Sequence, residues 1–213
     1  MKIAYYHPKE KLEKHGDKLP HWQQAAVPCF ITWRLADALP VAYLRKLKFE
    51  EYQWTLRHPK PWDSQTQDLY NHCIGSKREK WLDRGLGRCV LRRPDVRQDV
   101  AASLHFGDSR QYQLMCYVIM PNHLHLFMVP DAEASLGEIM FSIKSYTASR
   151  INKLLGERGA FWQEKYWDRL IRSPAQGMRV VNYIRNNPGK AHLGKKEYTL
   201  WEREDIEDLF RGE

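Results

Sequence analysis

The fold is decided by YQLMCYVIM at residues 112–120, the dipeptide Pro121–Asn122, and HLHLFMV at residues 123–129. Runs rich in aromatic and β-branched residues that are bounded by turn residues predict β-strands. Proline followed by asparagine is typical of a turn. The stretch therefore predicts two buried strands that are joined as a hairpin.

The segments before the hairpin predict a strand, a helix and an elaborated connection. Cys29–Leu35 (CFITWRL) has strand composition, and Pro40 opens a helical pattern that runs to about Arg57. Residues 58–110 begin with a proline-rich break and continue as charged helical pieces near 66–84 and 94–105. We expect this stretch to be a helical insertion within the domain.

The segments after the hairpin predict helix, strand and helix. Ser135 and Glu138 form a capping box that opens a long helix to about Leu155. A strand is expected near residues 166–171. Ser173 then caps a further helix, which we expect to stop near Asn187, because proline at the next position disfavours helical backbone before it.

The order of these elements predicts an α+β fold with a ferredoxin-like split βαβ core. We expect an antiparallel sheet with helices packed on one face, together with the helical insertion and a C-terminal helix near 203–210. The predicted divisions are an N-terminal arm at 1–27, the main domain at 28–196 and an acidic tail at 197–213.

The composition argues against a membrane-spanning or secreted protein. No apolar run approaches the roughly 20 residues needed to span a bilayer, and the polar N-terminus does not resemble a secretory signal. Four cysteines stand at 29, 73, 89 and 116 without a CxxC pair, so free thiols in a reducing cytoplasm are expected. We expect a cytoplasmic protein with no membrane partner.

The charge is strongly asymmetric along the chain. The net charge of the 213 residues is +8, but residues 197–213 hold seven acidic and two basic residues, so residues 1–196 carry +13. A basic body favours a nucleic-acid partner, although two differently solvated surfaces would look the same. One hypothesis is that the acidic tail folds over a basic groove and competes with DNA.

Two histidines provide the first chemical signal. His123 and His125 are two residues apart on a predicted strand, so both imidazoles lie on one face, where they could bind a divalent metal ion. Position 127 is Phe, which leaves a histidine-triad motif one histidine short. A pair of half-exposed histidines without a ligand is the simpler alternative.

A tyrosine and an asparagine provide the second chemical signal. Tyr183 and Asn187 are spaced i, i+4 on one helix, which places both side chains on one helical face. The Asn187 oxygen could serve as a third metal ligand, and the Tyr183 hydroxyl would then lie close to the metal. Alternatively, Tyr183 packs on the sheet and Asn187 is an ordinary residue at a helix end.

Three motifs in this order resemble the HUH endonuclease superfamily, and within it the REP-associated tyrosine transposases of the single-tyrosine branch. In chain order, the motifs are Leu19–Trp22 (LPHW) followed by Phe30–Leu35 (FITWRL), then Pro121–Leu126 (PNHLHL), and then Phe161–Trp167 (FWQEKYW) followed by Tyr183–Pro188 (YIRNNP). The resemblance runs from about 19 to 195 and is interrupted at 58–110. Gly189 departs from the family pattern, in which a larger residue is common.

The resemblance implies a metal-dependent endonuclease and strand transferase for single-stranded DNA. Tyr183 would be the nucleophile, and His123, His125 and Asn187 would hold Mg²⁺ or Mn²⁺. The products would be a 5′-phosphotyrosine and a free 3′-OH. The DNA would be a hairpin of the kind found in repetitive extragenic palindromes (REP), and the enzyme would be a monomer or homodimer.

Several basic and aromatic residues are candidates for DNA contacts. They are His21, Trp22, Arg34, Lys144, Arg150, Lys165, Arg169, Arg185 and Lys190. Tyr146 is a competing nucleophile, but its i+4 neighbour is Arg150 rather than a metal ligand.

Two other functions stay open: a non-catalytic nucleic-acid-binding module on a ferredoxin-like sheet, and a metal-dependent phosphoesterase.

Overall fold

A computed structural model of the chain describes residues 3–15 and 21–211. The strands are β1 (Glu13–His15), β2 (His21–Gln23), β3 (Cys29–Arg34), β4 (Tyr112–Ile119), β5 (His123–Pro130), β6 (Trp167–Leu170) and β7 (Thr199–Glu202). The helices are α1 (Val41–Arg57), α2 (Ser64–Tyr70), α3 (Ser76–Asp83), α4 (Pro94–Gly107), α5 (Leu136–Leu155), α6 (Pro174–Lys190) and α7 (Ile206–Phe210). A π-helical turn (Asn71–Gly75) joins α2 to α3, and a 3₁₀ turn (Val90–Arg92) precedes α4.

The five longer strands form one antiparallel sheet in the order β6-β3-β5-β4-β7. The hairpin of β4 and β5 is present as expected, and the Met120 amide donates to the His123 carbonyl at 2.9 Å to close its turn. The order of the first four strands is that of a split βαβ unit, which confirms the α+β, ferredoxin-like prediction. Strand β7 extends the sheet at the edge of β4 and was not expected.

Both faces of the sheet are covered, so the expectation of helices on one face was wrong in that detail. Helices α4 and α5 pack on the face that carries Leu124 and Leu126. Helix α6 packs on the opposite face, where Val181 and Ile184 meet Phe127. All eight residues of β5 are buried, and a strand without a solvated face needs cover on both sides.

Helix α5 begins as expected, since Ser135 accepts a hydrogen bond from the Glu138 amide at 3.4 Å. Helix α6 also begins as expected, at its Ser173 cap, but it does not end at Asn187. It continues through Pro188 to Lys190, and the Ala191 amide donates to the Asn187 carbonyl at 3.1 Å. Proline removes only its own amide donor, and the bonds that follow it carry the helix on.

The insertion at 58–110 is helical, as expected, and it contributes to the core. Trp81 and Leu82 of α3 are buried, and so are Val96, Val100 and Leu104 of α4. The N-terminal residues are tied to the same body, because the Tyr6 amide donates to the Ile171 carbonyl at 3.1 Å. Within the described part of the chain, no helix has the length and apolar character needed to cross a membrane.

Candidate active site

The two histidines of β5 lie on the α6 face of the sheet and are buried rather than half-exposed. His123 and His125 are each 1% exposed, and their ring centroids are 4.9 Å apart. Strand β3 supplies their neighbours, since Arg34 is paired with His123 and Thr32 with His125 in the sheet register. The period of two along each strand therefore gathers these four side chains on one face.

Asn122 determines which nitrogen of His123 is free. The Asn122 amide group donates to the carbonyls of Leu82 and Leu86, at 3.1 and 3.0 Å. Its Oδ1 lies 2.7 Å from Nδ1 of His123, and because an amide oxygen only accepts, His123 donates from Nδ1. The lone pair of His123 is therefore on Nε2, the nitrogen available to a metal.

His125 also has a hydrogen-bond partner at Nδ1. Its Nδ1 lies 2.8 Å from the hydroxyl of Thr32, while its buried Nε2 has no hydrogen-bond partner among the described residues. Burial lowers the pKa of His123 to about 3, with a smaller contribution from Arg34. Burial, and then His123 and Lys190, hold the pKa of His125 far below its usual range. Both imidazoles are therefore neutral, as metal ligands must be.

Helix α6 brings Tyr183 and Asn187 to the histidines. The Tyr183 ring lies edge-on to His125, with centroids 5.1 Å apart, and edge-on to Phe30 at 5.6 Å. Asn187 is 1% exposed and its amide nitrogen is 3.3 Å from the Tyr183 carbonyl. Burial, and then the charge of Glu79, raise the pKa of the Tyr183 phenol well above its usual range. The phenol is therefore protonated at rest.

Two carboxylates of α3 complete the site, and neither was expected from the sequence. Glu79 is half-buried and lies close enough to Tyr183 for its charge to raise the pKa of the phenol. Asp83 lies one helical turn further, with Oδ1 4.0 Å from Nε2 of His123. Burial, and then Glu79, raise the pKa of Asp83 to about 6, against the opposing effect of Lys190. In the sequence, the only sign that Glu79 and Asp83 share a helical face is their i, i+4 spacing, which is common on ordinary helices.

Two cations stand beside these groups. Lys190 Nζ lies 4.9 Å from the centroid of the Tyr183 ring. Arg34 is half-buried, its Nε donates to Gln163, and its buried Nη1 lacks a partner in the described part of the chain. Burial lowers the pKa of Arg34 to about 10, so it stays charged at neutral pH. An unpaired guanidinium nitrogen beside His123 suits a phosphate oxygen.

The donors present fit a divalent cation. Nε2 of His123 carries a lone pair, and Nε2 of His125 is buried without a hydrogen-bond partner among the described residues. Asn187, which is buried on α6, offers an amide oxygen. Nitrogen and oxygen donors of this kind bind Mn²⁺ and Mg²⁺. No group of three or more His, Cys, Asp or Glu side chains within 3–15 and 21–211 is placed to hold a metal. A complete set would thus need the Asn187 oxygen and a ligand from the substrate.

The other candidate residues lie elsewhere or have other partners. Tyr146 is 55% exposed on α5, and the sheet separates that helix from the histidines. Arg150 pairs with Asp99 at 2.6 Å, and Lys144 donates to the Glu164 carbonyl. Arg185 pairs with Glu202 and Glu207, at 2.7 and 3.0 Å.

The remaining DNA candidates stay predictions. Lys165 and Arg169 are exposed, before and within β6. His21 and Trp22 belong to β2, but their side chains fall outside the described part of the structure.

Comparison with protein-family models supports the resemblance to transposases. Residues 90–187 match the family described as "Transposase IS200 like", a range that contains His123, His125, Tyr183 and Asn187. No curated protein matches the chain. One solved structure, described as "Structure of the REP associates tyrosine transposase bound to a REP hairpin", shares 15% identity over 84% of this chain and 77% of its own, with a TM-score of 0.47.

Proposed function

We propose that the protein cuts and joins single-stranded DNA next to palindromic hairpins, because residues 90–187 match the family described as "Transposase IS200 like". The observation that carries the proposal is the approach of Tyr183 to His125, with ring centroids 5.1 Å apart. A nucleophile thus stands beside an imidazole whose Nε2 is buried and unpartnered within the described chain. The hairpin substrate follows from the resemblance to REP-associated tyrosine transposases.

Tyr183 is the nucleophile of the proposed reaction. Its oxygen attacks the scissile phosphorus, the bond from phosphorus to the 3′-oxygen breaks, and a 5′-phosphotyrosine and a free 3′-OH result. Attack by another 3′-OH on the phosphotyrosine rejoins the strands and releases Tyr183. The covalent link conserves the energy of the phosphodiester bond, so no nucleotide cofactor is required. The chain has no P-loop or dinucleotide-binding motif.

His123, His125 and Asn187 would hold a divalent cation, Mg²⁺ or Mn²⁺. When bound, the cation would polarise the scissile phosphate and neutralise the charge that develops on it. The protein's own contribution is preorganisation, because Asn122 and Thr32 orient the two imidazoles before any ligand arrives. Lys190 adds positive charge over the Tyr183 ring and Arg34 adds it beside His123, and both would bind oxygens of the DNA phosphates.

The proposal is tested by covalent capture of DNA. The protein is incubated with an end-labelled, single-stranded oligonucleotide that contains a hairpin, with Mg²⁺ or Mn²⁺, and analysed on a denaturing gel. We expect a labelled protein–DNA adduct that EDTA prevents and that the substitution Tyr183→Phe abolishes. The matched substitution Tyr146→Phe should leave the adduct unchanged.

Each alternative has its own result. Binding of the hairpin without an adduct would favour a non-catalytic module, and cleavage without an adduct would favour a phosphoesterase. Loss of the adduct in Tyr146→Phe alone would identify Tyr146 of α5 as the nucleophile. Adduct formation in EDTA would show that the reaction needs no metal ion.

A further inference from the structure

Gln163 holds Arg34 through two hydrogen bonds. Nε of Arg34 donates to the side-chain oxygen of Gln163, and the backbone amide of Gln163 donates to the Arg34 carbonyl at 2.9 Å. Arg34 in turn is the register partner of His123 on the neighbouring strand. The reaction proposed above gives Gln163 no part, although it lies within the motif at Phe161–Trp167. Gln163 is therefore connected to the histidine site through Arg34.

The backbone around Gln163 is fixed to the core. An antiparallel bridge pairs Leu35 with Trp162, the residues that adjoin Arg34 and Gln163 in the sequence. Trp162 is buried, and its indole Nε1 donates to the Thr147 hydroxyl of α5 at 2.9 Å. The side chain of Gln163 therefore meets Arg34 from a position that β3 and α5 determine together.

Arg34 is a half-buried cation without a counter-ion in the described part of the chain. Its Nη1 is buried and has no hydrogen-bond partner among those residues. Glu51 is the carboxylate whose charge acts on Arg34, but it is paired with Arg78 at 2.8 Å. Because a cation taken out of water without a counter-ion costs free energy, the unpaired guanidinium indicates a site for an anion.

The amide of Gln163 is suited to hold such a guanidinium because it is neutral. Its oxygen accepts from Nε as a carboxylate would, but it leaves the positive charge of Arg34 available to a ligand. The bond to Nε also orients the whole guanidinium, since its three nitrogens form one rigid planar group. The two Nη groups are then directed to the oxygens of a single phosphate.

We propose that Gln163 is a positioning residue that holds the guanidinium of Arg34 for one backbone phosphate of the DNA strand. The inference deepens the function proposed above and rests on it, because the phosphate belongs to the same substrate. Gln163 acts through Arg34 and needs no contact with DNA of its own. It orients the cation and, being uncharged, does not compete with the phosphate for it.

The first test compares two substitutions of Gln163. Gln163→Met keeps the approximate length of the side chain but removes the acceptor for Nε, whereas Gln163→Glu keeps the acceptor and neutralises the guanidinium. Both should raise the Kd for hairpin DNA, measured by fluorescence anisotropy in EDTA, by about 10–100-fold, the loss expected for one hydrogen-bonded ionic contact. Gln163→Glu should unfold at the wild-type temperature or above, because its carboxylate pairs with Arg34. A residue with a structural role alone would tolerate this change.

The matched controls are Gln98→Met and Gln98→Glu. Gln98 is exposed on α4, which packs on the sheet face opposite to the histidines. Both variants should bind hairpin DNA within about threefold of the wild-type Kd, as expected for exposed positions.

The second test locates the phosphate. Hairpin oligonucleotides carry a neutral methylphosphonate at one position at a time around the cleavage site, and wild-type protein loses affinity wherever it contacts a charged phosphate. At one position this loss should be absent from Arg34→Gln and from Gln163→Met alike. At the other positions it should equal the wild-type loss. If Gln163→Met does not fold, Gln163→Glu replaces it here, because it also removes the charge available to that phosphate.

The outcomes separate this inference from the proposed function. If wild-type protein neither binds hairpin DNA nor forms an adduct, the proposed function fails and the role of Gln163 fails with it. If wild-type protein does both and Gln163→Glu binds DNA within about threefold of it, only the role of Gln163 is overturned. A full methylphosphonate loss at every position in the Gln163 variant, with one position missing in Arg34→Gln, also overturns that role.

Discussion

Asn122 joins two functions in one side chain. Its oxygen accepts from Nδ1 of His123, and its amide group donates to the carbonyls of Leu82 and Leu86 near the end of α3. Asn122 is fully buried, and its partners His123 and Leu82 are buried as well. The same residue therefore orients a proposed metal ligand and anchors the helix that carries Glu79.

Replacement of Asn122 by Ala should damage both stability and metal binding. Unpaired buried polar groups cost about 1–3 kcal/mol each, so the free energy of unfolding should fall by at least that amount. Loss of the partner that orients a ligand typically weakens metal binding about 10–100-fold. Chemical denaturation and Mn²⁺ titration calorimetry measure the two effects.

The matched control for this change is Asn152→Ala, which removes one exposed hydrogen bond to the Gly159 carbonyl. It should leave Mn²⁺ binding unchanged. Equal Mn²⁺ affinity in the Asn122 variant and in wild-type protein would show that His123 is not oriented by Asn122.

Thr32 has the corresponding relation to His125. The substitution Thr32→Val keeps the shape of the side chain but leaves Nδ1 of His125 without its partner at 2.8 Å. The imidazole then loses the hydrogen bond that orients its ring, and we expect Mn²⁺ affinity to fall about 10–100-fold. Thr55→Val, on the exposed side of α1, removes a hydroxyl whose bond is to the Glu51 carbonyl and should bind Mn²⁺ normally. Normal Mn²⁺ affinity in Thr32→Val would remove Thr32 from the metal site.

At the scale of elements, α6 combines packing and chemistry along its length. Its N-terminal half carries Gly177 and Val181, which contact the core and α7, and its C-terminal half carries Tyr183 and Asn187. The helix passes through Pro188 and ends at Lys190, whose ammonium group lies over the Tyr183 ring. The continuation past Pro188 therefore places a cation beside Tyr183, the proposed nucleophile.

Helices α6 and α7 are in such close contact that one added methyl group should destabilise the protein. A Cβ on Gly177 would lie 2.4 Å from a ring atom of Phe210, a side chain that is 2% exposed and stacked on Phe127. Overpacking of this kind lowers the free energy of unfolding by about 1–3 kcal/mol. The higher helix propensity of alanine than of glycine offsets up to about 1 kcal/mol of that loss. Gly177→Ala should lower the free energy of unfolding, as measured by urea denaturation.

Gly189→Ala is the control on the same helix, because nothing lies within 4 Å of its added Cβ. It should be neutral, or should stabilise the protein by up to about 1 kcal/mol. Equal stability of the two variants would show that α7 adjusts to the methyl group without cost.

At the scale of the whole molecule, the acidic C-terminal segment is built into the fold. Its strand β7 pairs with β4, and Ile206 and Phe210 are buried in the core on the α6 face. Glu202 and Glu207 both pair with Arg185, so two acidic residues of the segment are engaged with one cation of the body. These contacts favour a structural role for the tail over the hypothesis of a segment that competes with DNA.

Deletion of residues 197–213 should therefore destabilise the protein and lower its yield of adduct. It removes an edge strand and two buried hydrophobic side chains, each worth about 1.5–3 kcal/mol. Thermal unfolding and the adduct assay measure the effects. The double substitution Glu202→Gln and Glu207→Gln is the control that removes charge but keeps the fold. Faster nicking by the truncated protein, together with tighter DNA binding, would instead support autoinhibition.

The amino-acid sequence by itself determined the hairpin, the helix caps and the pairs His123–His125 and Tyr183–Asn187. These features depend on neighbours a few residues apart, so the strand and helix periods suffice to place them. The tertiary structure alone decided which face α6 covers and which partners complete the site. Thr32 meets His125 across 93 residues, and Asp83 comes within 4.0 Å of His123 only because the insertion packs against the core. Such contacts depend on burial shared among distant segments, which no local pattern records.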